Sequence, residues 1–246
     1  MDGRQTRRSV REKFLHGADG LFLRGSPRMF RIETGTYNAS GMHPWGRMEA
    51  MEAVVVAATG PHEVAARGHV VQFYRHGEEL ADWAGGYLSA GVADGGVAVI
   101  IATPEHRLAI EKRLTETGLD VPAAVDRGDY LELDAERTAR RLVTGGRLDR
   151  ARFELVIGDL IHQATSAGRP VRVFGELVAM LWQAGRAAGA VELEELWNGL
   201  GRRYPFGLWC GYPAVRAADR HLTDAVTEVC RHHGMVIGEV PVPPAS

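Results

Sequence analysis

The sequence predicts an α/β domain with a mainly parallel sheet and helices on both faces. Two observations carry this reading. Short apolar runs of four to seven residues recur along the chain, at His69–Tyr74, Val97–Ala102, Tyr130–Leu133, Val171–Phe174 and Phe206–Tyr212. Between them lie longer segments whose apolar residues repeat at helical spacing. Strands that alternate with helices are joined by crossovers, and crossovers bring strands together in parallel.

The elements follow in chain order. HVVQFY is a strand that His76-Gly77 breaks. A helix from about Glu78 to Ala90 places Leu80, Trp83, Ala84, Tyr87 and Leu88 on one face, and Gly91 is its expected stop. Val97 to Ala102 is apolar throughout, as a strand covered on both faces should be. Thr103 is a good N-cap with Pro104 at the first helical position, and Gly118 ends that helix. A short helical turn through Val121 and Ala124 leads to Gly128, then to the third strand, after which Asp134 caps another helix. Asp149 caps a longer one, whose stripe is Phe153, Val156, Ile157, Leu160 and Ile161, and Gly168 closes it.

The stretch from Arg169 to Pro213 is the centre of the chain. Val171 to Phe174 is a strand ending in Gly175-Glu176, and Leu177, Met180, Leu181 and Ala184 mark the helix that follows. A second helix holds Glu192, Glu194, Glu195, Trp197 and Asn198, and the strand Phe206–Tyr212 closes the unit. The last helix aligns Leu222, Ala225, Val226, Val229 and Cys230. His232-His233-Gly234 stops it, and Met235 to Val240 forms a final strand.

Composition bounds the function. Of 246 residues, 45% are hydrophobic and 24% charged, and the net charge of -2 draws the protein neither to nucleic acid nor to anionic membrane. No apolar run nears the ~20 residues of a membrane helix, and the N-terminus lacks the order of a signal peptide. Cys210 and Cys230, in a strand and a helix pattern, read as buried thiols of a reducing cytosol. A cytoplasmic protein is expected. Residues 1–66, Arg-rich and without period, read as a poorly ordered extension, residues 67–240 as the α/β domain, and residues 241–246 as a tail. No nucleic-acid motif or interleaved aromatics accompany the basic arm.

Several segments in order also carry a family resemblance. HVVQFY, ATPEHR, GDYLELDA, VRVFGELVAMLW, LEELWN and FGLWCGYP resemble the MEDS sensory domain of the dichloromethane-regulator type, over roughly Gly68 to Val240. The first is similar to that family's His-x-x-x-Phe-Tyr signature. The resemblance implies a RecA-like three-layer core without a working nucleotide site, used to sense small molecules in bacterial signalling. It also implies functional roles for His69, Phe73 and Tyr74.

A phosphate loop needs glycines, a Lys and a Ser or Thr. The only lysines are Lys13 and Lys112, outside any such turn, and the loop after the first strand, Tyr74 to Glu79, carries two carboxylates that would repel phosphate. ATPase activity is not expected. Adjacent His232 and His233 point about 100° apart on a helix, so they read as a solvated helix end, and no histidine pair shows metal-ligand spacing. No metal or cofactor is expected. No G-x-S-x-G elbow occurs, Glu192 and Glu195 share a solvated helical face, and the run around Cys210 is too apolar for a reactive thiolate.

What remains is a ligand crevice at the carboxyl ends of the strands. Tyr74, Arg75, Thr103, Asp134, Glu176 and Tyr212 are its expected polar groups, and Phe73, Trp182, Trp197 and Trp209 are possible apolar walls or plain core. Glu176 has two open readings, as a ligand group or as an acid favouring the helix it opens. His69 lies roughly 17 Å from Tyr74 along a straight strand, so the two cannot hold one small ligand together. The expected function is a non-catalytic sensor of a small organic ligand that signals to a separate kinase or sigma-factor regulator. A nucleotide-binding enzyme with residual ATPase activity and a pure protein-interaction module are the alternatives.

Overall fold

The structure, a computed structural model, describes residues 65–214 and 220–238, with side chains over 65–214 and 225–238. The N-terminal extension up to residue 64, the tail, Leu222 on the last helical stripe and the end of the expected final strand lie outside the described side chains. Six strands form one parallel sheet: β1 (His69–Tyr74), β2 (Val97–Ala102), β3 (Tyr130–Asp134), β6 (Val171–Gly175), β7 (Gly207–Pro213) and β8 (Met235–Ile237). Their order across the sheet is β3-β2-β6-β7-β1-β8. Two short strands, β4 (Val143–Thr144) and β5 (Arg147–Leu148), make a separate antiparallel hairpin.

Alternation along each strand divides the core into two layers. On one face Val71, Phe73, Val99, Ile101, Val173, Leu208, Cys210 and Tyr212 pack beneath α7 (Leu177–Gln183), α8 (Ala187–Gly201) and α9 (Arg220–Arg231). On the other, Val70, Tyr74, Ala98, Ile100, Phe174 and Trp209 pack beneath α1 (Gly77–Ala93), α2 (Pro104–Glu116) and α3 (Val121–Arg127). The result is a three-layer α/β domain. Strands covered on both sides explain why β1 and β2 are apolar almost throughout.

Most element ends fall where the caps place them. Thr103, Asp120, Asp134 and Asp149 each accept a backbone N–H of the first turn they open, Asp134 opening α4 (Ala135–Arg141) and Asp149 α5 (Arg150–Phe153). Gly91 is a departure. It does not stop α1 but lies inside it, because the Arg172 side chain crosses there and a Cβ would stand 2.7 Å from Arg172 Cδ. The stop is Asp94-Gly95, with Gly95 at φ 77°. A second departure follows α5, where a π-turn over Glu154–Gly158 precedes α6 (Asp159–Thr165). Phe153, Ile157 and Ile161 remain buried across it, while Leu155 is 67% exposed.

Candidate functional site

The carboxyl edge of the sheet gathers a polar cluster. After β2 the chain enters α2 beneath one face, and after the neighbouring β6 it enters α7 beneath the other. Adjacent strands that send their helices to opposite faces leave a crevice at their carboxyl ends. Glu176 bridges it. Its Oε2 accepts the Thr103 backbone N–H at 2.9 Å and the Thr103 hydroxyl at 3.4 Å, and its Oε1 pairs with Nδ1 of His106 in a short hydrogen bond. The His106 ring meets the Tyr74 ring edge-on at 5.7 Å. Gly77, opening α1, lets the imidazole approach, since a Cβ there would lie 3.2 Å from His106 Nε2. The starts of α1, α2 and α7 therefore converge on one carboxylate–imidazole pair.

Glu176 is only 2% exposed, so its carboxylate is almost wholly removed from water. Its side chain makes no capping bond to α7, the helix it opens, and turns instead to the cap of α2. The bond to Glu176 holds His106 above its ordinary imidazole range, with burial opposing and the Glu105 charge adding. Burial and the Glu176 charge push the Tyr74 hydroxyl up. A group whose folded pKa is raised contributes its stability below the unfolded pKa, ~6.5 for His. That contribution is lost as pH rises through the folded value. The melting temperature of the unaltered chain relative to His106→Gln is therefore expected to fall as pH climbs above about 6.5, while His233, whose pKa burial lowers to about 3, acts in the opposite sense but equally in both proteins. An equal slope in the variant would remove His106 from this role.

The other expected site residues separate. Arg75 is exposed, and its backbone N–H donates to Glu79 Oε2 at 3.2 Å. Asp134 ends β3 on the same edge, where its Oδ1 caps α4 through Arg137 N–H. Phe73, Trp182 and Tyr212 lie on the α7 face, with Tyr212 5.7 Å from Phe73 and 5.6 Å from Trp182. Trp182 is buried and its Nε1 has no hydrogen-bond partner among the described residues. Trp197 sits deeper, edge-on to Phe153. Trp209 belongs to the opposite face, its Nε1 donating to Gln72. His69 opens β1 at the amino edge and Tyr74 closes it on the other face, so one small ligand cannot join them.

His69 instead belongs to a buried cluster that sequence reasoning missed. His69, Glu194, Cys210 and His233 are all fully buried, with one potential donor atom of each within 4.8 Å of the others. Tyr212 donates its hydroxyl to Glu194 Oε1 at 2.7 Å, and Asn198 stands beside His69. Burial, then the Glu194 charge, push both the Cys210 thiol and the Tyr212 hydroxyl up, so Cys210 is no reactive thiolate. The solvated helix end expected at His232-His233 is overturned, because both residues are buried. The chain turns straight from α9 into β8, with Gly234 N–H on the His69 carbonyl, and this draws both rings under the sheet. Their rings do diverge, His232 towards Glu228 and His233 towards Glu194.

The described residues thus form a parallel three-layer α/β domain whose first loop lacks the Lys and the Ser or Thr of a phosphate cradle. The chain belongs to the MEDS family: the model described as the MEthanogen/methylotroph, DcmR Sensory domain matches residues 68–234. A search of curated proteins found no match. The family assigns a sensory or regulatory role. Among the described residues no helix is long and apolar enough to cross a membrane.

Proposed function

We propose that this chain is a non-catalytic sensor that binds a small organic ligand at the carboxyl edge of its sheet and signals to a separate protein of the kinase or sigma-factor regulator class. The observation that carries the reading is Glu176, a buried carboxylate bridging β2 and β6 beside Tyr74 and His106. A ligand that takes over one of its hydrogen bonds changes how α2, α7 and the start of α1 are tied together. That gives the edge a way to pass a binding event into the fold. The unpartnered indole N–H of Trp182, on the α7 face, offers a further donor. The RecA-like core implied by the resemblance would serve here as a scaffold without its nucleotide chemistry, since the Tyr74–Glu79 loop lacks the Lys and the Ser or Thr of a phosphate loop and carries two carboxylates.

Native mass spectrometry of the freshly purified full chain is the direct test. The expected result is a retained small organic adduct that leaves on denaturation. Tyr74→Phe and Glu176→Gln are each expected to weaken binding of that compound by ~1–3 kcal/mol with the fold retained. If both variants unfold the chain yet leave affinity intact, the edge is not the site. Saturable hydrolysis of Mg²⁺-ATP would favour the enzyme reading instead.

A further inference from the structure

The buried cluster at the amino half of β1 is outside the edge crevice, and its geometry points to a second kind of site. Four segments distant in sequence each contribute one residue: His69 from β1, Glu194 from α8, Cys210 from β7 and His233 from the turn between α9 and β8. Nε2 of His69 lies 3.3 Å from Cys210 Sγ and 3.3 Å from Glu194 Oε2. Cys210 Sγ is 3.8 Å from Glu194 Oε2, and His233 Nε2 is 3.5 Å from Glu194 Oε1. A tetrahedral ion with bonds of about 2.0–2.3 Å places its donors about 3.3–3.7 Å apart. These four contacts stand close to those separations, and one donor atom of each residue lies within 4.8 Å of the others.

The surrounding hydrogen bonds fix which atoms face inward. Asn198 Nδ2 donates to the His232 carbonyl at 2.9 Å, so its Oδ1 is the atom turned to His69 Nδ1, 2.9 Å away. His69 Nδ1 must then carry the proton. Nδ1 of His233 donates to the Val229 carbonyl at 2.7 Å, since a carbonyl can only accept. With both Nδ1 atoms committed, each ring turns its Nε2 towards the Glu194 carboxylate. Nε2 of His233 has no hydrogen-bond partner among the described residues, although its ring is fully buried. A buried carboxylate ringed by two imidazoles and a thiol is costly unless a positive charge sits among them. An outer ring of Asn198, the Val229 carbonyl and the Tyr212 hydroxyl, holding two imidazoles and a carboxylate, is the arrangement that orients metal ligands.

We propose that His69, Glu194, Cys210 and His233 form a buried, closed four-coordinate site for a divalent cation of the zinc class. Two imidazoles, one carboxylate and one thiolate suit Zn²⁺, whereas Mg²⁺ and Ca²⁺ take oxygen donors. The four protein ligands fill the shell and leave no position for a reacting water, so the ion clamps β1, β7, α8 and the α9–β8 turn together. Cys210 enters the site as its thiolate, and its proton passes to solvent as the metal binds. The site stands independently of the edge crevice, and failure of either proposal leaves the other intact.

The test uses the full chain, produced once in ordinary medium and once with cobalt supplied. The expected result is one zinc per folded chain by elemental analysis in the first. In the second, cobalt should show a thiolate-to-cobalt charge-transfer band and the strong visible absorption of a four-coordinate ion. Cys210→Ser is expected to abolish the charge-transfer band, and Asn198→Ala to lower zinc affinity by ~10–100-fold. Should Cys210→Ser not fold, the charge-transfer band of the unaltered chain decides alone. A folded chain with substoichiometric metal overturns the proposal and leaves protons as the neutralising charge. Cobalt bound without a thiolate band, or with a spectrum unchanged in Cys210→Ser, places the ion elsewhere and overturns it as well.

Discussion

Phe153→Ala is expected to lower unfolding free energy by ~3–5 kcal/mol, the range for deleting a buried aromatic ring. The residue is fully buried, edge-on to Trp197 at 5.5 Å, and packs among the side chains beneath the α7 face of the sheet. The surrounding layer is held by β6, β7 and two helices, so the cavity left by the ring cannot easily collapse. In a chain of this size that loss corresponds to a fall in melting temperature on the order of 10 °C. Leu155, two residues on, is 67% exposed across the π-turn, and Leu155→Ala is expected to change stability by less than ~0.5 kcal/mol. Thermal melts of the two variants side by side are the check. Equal shifts would mean that the π-turn does not present the helix as described.

The second large effect is expected at Glu194. Its side chain is fully buried, and Glu194→Ala leaves the Tyr212 hydroxyl without its acceptor and His69 and His233 facing an empty space. Removing one partner from a buried charged group typically costs about 3–5 kcal/mol. Glu194→Gln keeps an acceptor for Tyr212 and should recover part of the loss. Glu195, its exposed neighbour on α8, is the control, and Glu195→Ala should lie within ~0.5 kcal/mol of the unaltered chain. Urea unfolding of the three variants measures this. A Glu194→Ala midpoint equal to that of Glu195→Ala would show that the carboxylate is dispensable to the core.

Much of the fold was legible because the signals were local. β2 declared itself as a six-residue apolar run between glycines and a proline, and Thr103, Asp134 and Asp149 announced helices through a capping chemistry confined to one turn. The edge site was half legible. The rule that parallel strands end on one edge placed Tyr74, Thr103 and Glu176 near one another, as they stand, but His106, three residues into its helix region, carried no mark of its contact with Glu176. The buried cluster was illegible for a physical reason. Its members come from four segments, with His69 and Cys210 separated by 141 positions, so no spacing rule applies. One faint sign existed. Glu194 and Asn198 stand four apart on the face of α8 that also holds Leu193, Trp197 and Leu200, an apolar face where two polar residues need buried partners.

The place of β1 in the sheet has a consequence for how the protein is made. β2, β3 and β6 are neighbours in space and can pair as they leave the ribosome. β1 is synthesised before all of them, yet its hydrogen-bonding neighbours are β7 and β8, the last strands to emerge. At 5–20 residues per second, roughly 10 s pass between the appearance of β1 and that of β7. Through that interval a fully apolar segment, Val70 to Tyr74 broken only by Gln72, waits with both backbone edges open. A holding chaperone added during cell-free synthesis is therefore expected to raise the yield of folded chain. A ribosome pausing between β6 and β7 prolongs the most aggregation-prone stage of its synthesis.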